Sequence, residues 1–260
     1  MKKYYEIGKT NFQNSLVYYA EFFFKAVFIM IILFIFTNLW KTVYGEANLI
    51  EGYTIGMMIW YLLMTESIVS TSSGTFNEIN EEVQSGEIVY RMNKPYSYVG
   101  YHYAKALSKR IIGMSIMFII GSIIVYLMVG GIKVIPWTTP LILITVLLAI
   151  TIDFLIIMPL ALLAFWLEDT TGFRWVYEKL VFTIGGMLVP LEIFPQWLAK
   201  ISSILPFSYI AYHPAKLFVK FTMKGFLEVA GIQILYVIVL GTITAVVYTL
   251  GTKKLSINGG

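Results

Sequence analysis

Long apolar segments are the feature that most constrains what this chain can fold into. A helix needs about 20 mainly apolar residues to cross a hydrocarbon core about 30 Å thick. Charged residues make up only 13% of the 260-residue sequence, whereas a soluble domain carries about 25%, so most of the surface must face lipid. We therefore predict an all-α integral membrane protein that forms a single domain over residues 1–260. Six spans are predicted, over about residues 19–40, 53–69, 111–129, 141–166, 176–189 and 226–250.

The first 18 residues differ in character from the predicted spans. Apolar side chains such as Tyr5 and Leu16 alternate irregularly with polar ones such as Lys9 and Asn14. This pattern is typical of an amphipathic helix that lies in the membrane interface. We predict an interfacial helix over residues 1–18; a frayed polar tail is the alternative.

The distribution of basic residues predicts the orientation of the chain. Lys and Arg are about twice as frequent on the side of the predicted spans that carries both termini as on the other side. Loops rich in Lys and Arg remain in the cytoplasm, so both termini are expected to be cytoplasmic. The basic residues are dispersed between apolar runs rather than clustered, and nucleic-acid binding is not predicted.

A polar loop between the second and third predicted spans contains a short amphipathic pattern. Phe76, Ile79 and Val83 fall on one stripe of a helix, Gly86 is placed to end that helix, and Pro95 marks a further break. Such a helix is suited to docking a soluble partner; lying on the bilayer surface is the alternative. An anionic inner leaflet would repel the acids of this loop, which argues against the alternative. These acids are Glu78, Glu81, Glu82 and Glu87.

The segment 190–224 is too hydrophobic for a water-exposed loop, yet its apolar stretches are too short to cross the bilayer. Pro190, Pro195 and Pro206 divide it into short helices, and Trp197 lies in the second of these parts. We predict a re-entrant gate segment that dips in from the outer side and packs against protein. A plain external loop with an interfacial helix is the alternative.

These features occur in a characteristic order: an interfacial helix, six spans, a loop with Ser-Gly-Glu-Ile at 85–88 and Asn-Lys-Pro at 93–95, and a proline-rich segment before the last span. The Gly-Gly-Met-Leu-Val-Pro-Leu run at 185–191, Pro-Gln-Trp-Leu at 195–198 and Leu-Pro-Phe at 205–207 complete the pattern. The chain thus resembles the permease subunits of ABC-2 type ABC exporters.

This resemblance implies partners and roles. In that family the cytoplasmic helix is a coupling helix that fits a groove on a separate ATP-binding cassette ATPase subunit. ATP and Mg belong to that partner, and two permeases, identical or homologous, make one transporter in the cell membrane. The residues to which the resemblance assigns coupling are Phe76, Ile79, Val83, Gly86, Ile88, Tyr90 and Pro95.

The sequence lacks the motifs of an enzyme. It contains no Gly-x-x-x-x-Gly-Lys-Ser/Thr to cradle ATP phosphates, no cysteine, and only two histidines, His102 and His213. The histidines fall on opposite sides of the predicted membrane, so no metal site is predicted.

Two acids inside the predicted spans are the candidate translocation path. Asp153 and Glu66 each carry a large insertion cost, about 2.5–3.5 kcal/mol or more near the bilayer centre. A polar point on a substrate path and a hydrogen-bonded strut between helices are the two interpretations. No basic residue is predicted at the depth of Asp153. If Asp153 is charged, we therefore expect its partner to be water, a second permease or the substrate; if it is neutral, we expect it to donate a hydrogen bond that holds helices together.

We therefore predict the membrane-spanning subunit of an ATP-driven exporter, without an ATPase site of its own. It would move an amphipathic substrate, such as a drug, a peptide or a lipid-like molecule, outward by alternating access. An ATP-independent secondary transporter or channel is the alternative, although the inverted repeats common in secondary transporters are not evident.

Overall fold

The computed structural model describes residues 4, 6–7, 9–10, 19–71, 74–132, 135–167 and 169–258. This part of the chain forms helices and no strand, which confirms the all-α prediction. Short 3-10 helices cover Pro136–Thr138, Leu163–Phe165 and Leu191–Ile193. The α-helices are α1 (Tyr19–Tyr44), α2 (Ile55–Val69), α3 (Thr75–Gln84), α4 (Ile88–Met92), α5 (Tyr98–Val129), α6 (Thr139–Leu162), α7 (Thr171–Thr183), α8 (Gln196–Ile204), α9 (Pro206–Ile210), α10 (Tyr212–Val219) and α11 (Met223–Asn258).

Four helical stretches in the described part of the chain are long and apolar enough to cross a membrane. They are Val27–Tyr44, Tyr98–Val129, Pro136–Phe165 and Met223–Lys254. The prediction of six spans is therefore confirmed only in part. The segments predicted at 53–69 and 176–189 form the 15-residue helix α2 and the 13-residue helix α7, both shorter than a bilayer-crossing helix.

Helix α2 lies at the centre of the molecule, packed against α1, α5 and α10. Every residue from Met58 to Ile68 is buried, because the helix is apolar on all sides and such helices are covered by protein. The hydroxyl of Thr54 accepts a hydrogen bond from the Met57 backbone N–H and begins the helix. Gly121 allows α5 to approach closely, since a Cβ there would lie 2.2 Å from Leu63 Cδ1.

Helix α6 is the second centre of packing and pairs along much of its length with α11. Polar side chains of α11 hold the pair together. The Gln233 amide donates to the carbonyls of Thr145 at 3.0 Å and Tyr209 at 2.9 Å, and the Thr244 hydroxyl donates to Leu155 O at 3.1 Å. Interhelical hydrogen bonds of this kind are a usual link between apolar helices.

The chain between α7 and α8 is irregular although it lies in the interior. Helix α7 ends at Thr183, and Gly186 has φ +72°, a conformation that favours glycine. Side chains of α2 donate hydrogen bonds to two backbone carbonyls of this irregular segment. Tyr61 donates to Gly186 O, and Thr65 donates to Met187 O at 2.6 Å. Irregular backbone at membrane depth is tolerated where protein buries it in this way. This turn explains why 176–189 does not form a continuous span.

The two ends of α2 define two ends of the molecule. At its start, the Lys220 ammonium lies 3.3 Å from the centre of the Tyr53 ring, and we call this the α10 end. At its finish, Val69 leads towards α3, and we call this the α3 end. The predicted helix over 1–18 lies largely outside the described residues. Of those described, residues 4, 6–7 and 9–10 are helical, and the Tyr4 hydroxyl accepts a hydrogen bond from Ser97 N at 2.9 Å.

Candidate functional site

A cavity of about 540 Å³ opens near the α3 end, and both acids of the candidate path line it. Its walls are mainly apolar, with side chains from α1, α2, α3, α5, α6 and α7. The structure therefore brings Glu66 and Asp153 together, although the sequence alone could not place them in one wall. The other polar residues of the interior wall are Ser70, Arg110 and Tyr177.

Asp153 of α6 is held by two neighbouring helices. Arg110 of α5 donates through Nη1 to one carboxylate oxygen, and the Tyr177 hydroxyl of α7 donates to the other. Arg110 also donates through Nη2 to the carbonyl of Ile68, near the end of α2, at 2.8 Å. Arg110, Asp153 and Tyr177 are all buried. This cluster, which we call the Asp153 cluster, joins α2, α5, α6 and α7.

The Asp153 cluster corrects the expectation that no basic residue lies at the depth of Asp153. The apolar run of the third predicted span begins after Arg110, so the sequence assigned Arg110 to a loop. Helix α5 instead begins at Tyr98 and spans 32 residues, which places Arg110 about 18 Å along it at 1.5 Å per residue. The partner of Asp153 is therefore a residue of the same chain.

Glu66 of α2 has a different environment. Its side chain is buried, and the Ser70 hydroxyl donates to Oε2 at 2.6 Å. Among the described residues it forms no ion pair. Three charged side chains among the described residues of this cavity are buried. Arg110 and Asp153 form an ion pair, whereas Glu66 has no oppositely charged partner among them.

Helix α7 connects the cavity to α3. Arg174 Nη1 donates to Asn77 Oδ1 at 2.6 Å, and its guanidinium lies 5.6 Å from the centre of the Phe76 ring. The Thr170 hydroxyl donates to Asn80 Oδ1 at 2.8 Å. Within α7 itself only Tyr177 and Val181 are buried. The helix packs against α6 and α9, and its polar side chains bond to α3 at one end and to Asp153 in its middle. The sequence analysis missed this polar connection.

The apolar stripe of α3 packs inside the chain. Phe76, Ile79 and Val83 are buried in a cluster with side chains of α5 and α6, such as Met158, and with Phe165 of the 3-10 helix that follows α6. The stripe thus faces side chains of its own chain, and the coupling role assigned to it stays a prediction. Periodicity identified an apolar face correctly, but α6 of the same chain covers it. Ile88, the first residue of α4, is buried in the same cluster.

Helix α4 presents the exposed part of the predicted coupling segment. Gly86, with φ +76°, forms the turn between α3 and α4. Beyond it, Val89 is 47% exposed, Tyr90 is 75% exposed, and the carboxylate of Glu87 is also exposed. We call Glu87, Val89 and Tyr90 the α4 tip. Pro95 is exposed as well, so of the seven predicted coupling residues only Tyr90 and Pro95 have clearly exposed side chains.

A buried polar cluster fastens α3 to α5. Glu82 Oε2 accepts a hydrogen bond from the Tyr98 hydroxyl at 2.7 Å and lies 3.1 Å from His102 Nε2. Its other oxygen lies 3.1 Å from Arg91 Nε. Burial alone would raise the pKa of Glu82, but the bonds from His102 and Tyr98 and the Arg91 charge hold it below its ordinary value. The Tyr98 ring stacks on Tyr248 of α11 at 5.8 Å. Glu82 was predicted on the acidic outer face of the helix, and its burial corrects that.

The predicted gate segment forms the α10 end of the molecule. Pro190 is buried beside the irregular turn, Pro195 and Pro206 precede or begin helices α8 and α9, and Trp197 is exposed. Helix α10 packs on α2. The segment is therefore packed against protein along part of its length, as a re-entrant element requires. Among the described residues no group of His, Asp and Glu could hold a metal ion.

Comparison with known proteins identifies the family of the chain. A family model described as ABC-2 family transporter protein matches residues 27–259, which includes every span-length helix and the cavity. No curated protein matches the chain.

Proposed function

The chain belongs to the ABC-2 family of transporter proteins, and from that premise we propose that it is the membrane-spanning subunit of an ATP-driven exporter. Family membership makes it a membrane transport protein rather than an enzyme. The proposal adds that it moves an amphipathic substrate outward by alternating access. A separate ATPase subunit supplies ATP and Mg, and a second permease, identical or homologous, completes the transporter.

The observation that most supports this proposal is the position of α7 between α3 and the cavity. Arg174 and Thr170 fasten one end of α7 to α3, and Tyr177 fastens its middle to Asp153 in the cavity wall. A displacement of α3 therefore moves the wall of the cavity through α7. Two discrete arrangements of such a packed element are what alternating access requires.

The ATPase subunit docks, in this proposal, on the α4 tip rather than on the buried stripe. The tip is exposed and contains an aromatic side chain, a residue type enriched at protein interfaces. The buried polar cluster around Glu82 and the apolar cluster around Ile79 anchor the segment that carries the tip to α5, α6 and α11. A push on the tip is thus transmitted to the helices of the bundle.

In this proposal the α3 end is cytoplasmic, both termini are cytoplasmic, and the α10 end lies outside the cell membrane. The excess of Lys and Arg on the predicted inner side supports this orientation. A cysteine at Ser85 introduces a unique thiol, since the chain has none. This thiol should react with a membrane-impermeant reagent only after the cells are permeabilised. A reaction in intact cells would show that the chain has the opposite orientation.

A pair of variants tests the docking site and the function together. Val89→Asp combined with Tyr90→Asp alters only exposed side chains, so the protein should fold and keep its unfolding temperature. It should lose the ATPase that co-purifies with the wild-type chain in mild detergent. Ile79→Asp is the matched interior control: it buries a charge in an apolar cluster and should lower the yield of folded protein.

Two outcomes would contradict the proposal. If the tip variant co-purifies with as much ATPase as the wild-type chain does, the α4 tip is not the docking site. A wild-type chain that brings no ATPase with it, and that transports in vesicles with only an ion gradient, would favour an ATP-independent secondary transporter or channel.

A further inference from the structure

The cavity contains one buried negative charge that the described part of the chain does not neutralise. Asp153 is paired with Arg110, whereas Glu66 has only the Ser70 hydroxyl. When Glu66 is ionised, the buried side chains Glu66, Asp153 and Arg110 together carry one net negative charge. An isolated carboxylate in an apolar site is costly, and a bound cation removes that cost.

The walls around Glu66 are apolar and aromatic. Phe28 and Phe36 of α1, Phe76 of α3 and Phe182 of α7 line the same cavity. Two of these rings already attract cations of the chain. The Arg174 guanidinium lies 5.6 Å from the Phe76 centroid, and the Lys179 ammonium lies 5.8 Å from the Phe182 centroid. Aromatic faces near an acid are the usual surroundings of a bound organic cation.

An anion has no equivalent partner in the interior of the cavity. Two guanidinium nitrogens of Arg110 are occupied by Asp153 and the Ile68 carbonyl. Its Nε has no hydrogen-bond partner among the described residues, but it is closed off from solvent and so does not face the cavity. Towards the rim, Arg174 lies 3.5 Å from Glu178 on the next turn of α7. Lys179 is exposed, so it does not offset Glu66 inside.

We propose that this cavity binds lipophilic organic cations, meaning molecules that combine a single positive charge with aromatic or aliphatic bulk. The charge lies against Glu66, and the apolar part packs against the phenylalanine walls. The volume of about 540 Å³ is in the range of small-molecule pockets, about 300–1,000 Å³. The inference rests on the proposed function, since it names the substrate class of the same transport cavity.

Two ions of matched shape and opposite charge test this directly. The purified full chain in detergent is equilibrated with tetraphenylphosphonium or with tetraphenylborate, and bound ion is measured. We expect saturable binding of the phosphonium and at least about tenfold weaker binding of the borate. Glu66→Gln keeps the shape of the side chain and removes its charge, and should weaken phosphonium binding by about tenfold. Glu228→Gln, an exposed acid at the α10 end, should leave it unchanged.

Several results would overturn the inference. They are equal binding of both ions, wild-type phosphonium affinity in Glu66→Gln, and no saturable binding by a chain that is folded. The comparison of the two ions uses the wild-type chain, so it stands even where a variant fails to fold. Co-purifying ATPase is scored on the same sample. If the chain co-purifies with an ATPase but does not bind phosphonium, only this inference is contradicted. If it binds phosphonium but does not co-purify with an ATPase, the proposal of an ATP-driven exporter is contradicted.

Discussion

Asp153 and Glu66 line the same cavity and are buried to a similar extent, yet their surroundings differ. Asp153 has a cation and a phenol as partners, and these partners come from two other helices. Glu66 accepts one hydrogen bond, from the hydroxyl of Ser70, which lies four residues later in the chain at the end of α2. The Asp153 cluster therefore holds helices together, and Glu66 leaves a charge available for a ligand. Burial does not distinguish the two acids; their partners do.

The largest effect is expected when Asp153 loses its cation. Arg110→Met leaves a buried carboxylate without a countercharge, and breaking a buried ion pair costs about 3–5 kcal/mol. The free energy of unfolding in mixed micelles should fall by that amount. The double variant Arg110→Met with Asp153→Leu should recover most of the loss, because an apolar pair of similar volume is often neutral. An unchanged stability in Arg110→Met would mean that the pair contributes nothing to the fold.

Glu82 extends the comparison to a buried carboxylate outside the spans. Glu82→Gln weakens hydrogen bonds to a charged group, which contribute about 1.5–3 kcal/mol. Because the folded pKa of Glu82 lies below its ordinary value, its contribution to stability is present above the ordinary value of about 4. That contribution is lost as the pH falls through the lowered pKa.

Wild type should therefore lose stability as the pH falls below about 4, and Glu82→Gln should lose less over the same range. Unfolding temperatures measured across this range check the slope. Glu87→Gln is the matched control, since its exposed pair with Arg91 contributes about 0–1 kcal/mol. An identical slope in Glu82→Gln and wild type would contradict the role of the buried cluster.

The smallest effect on stability is expected at Glu66. Glu66→Gln removes a buried charge that no cation of the described chain offsets, which favours the fold, and weakens the hydrogen bond from Ser70, which opposes it. Because these effects have opposite signs, the free energy of unfolding should change by less than about 1.5 kcal/mol. Measured beside Arg110→Met, this variant tests whether the two acids differ as their partners indicate. A loss of several kcal/mol in Glu66→Gln would show that Glu66 is also a strut.

The coupling segment shows how far sequence reasoning reached. The stripe of Phe76, Ile79 and Val83 and the turn at Gly86 are where periodicity and glycine predict them. Periodicity could not predict that the same chain covers the stripe, because a periodic face is apolar whether a partner or the same chain buries it. The exposed residues of the α4 tip carry no periodic signal, since α4 has only 5 residues.

The sequence by itself determined the all-helical membrane character of this protein, since long apolar runs with few charges have no other stable solution in lipid. The breaks at Gly86, Pro195 and Pro206 also follow from the sequence, because glycine and proline act locally, although Pro159 lies inside α6. Three features follow only from the way the helices pack. Arg110 meets Asp153, Glu66 has no cation partner among the described residues, and 176–189 folds as a short helix and a turn. Those outcomes depend on helix register and on which neighbours satisfy buried polar groups, and both are set by contacts between residues distant in the chain.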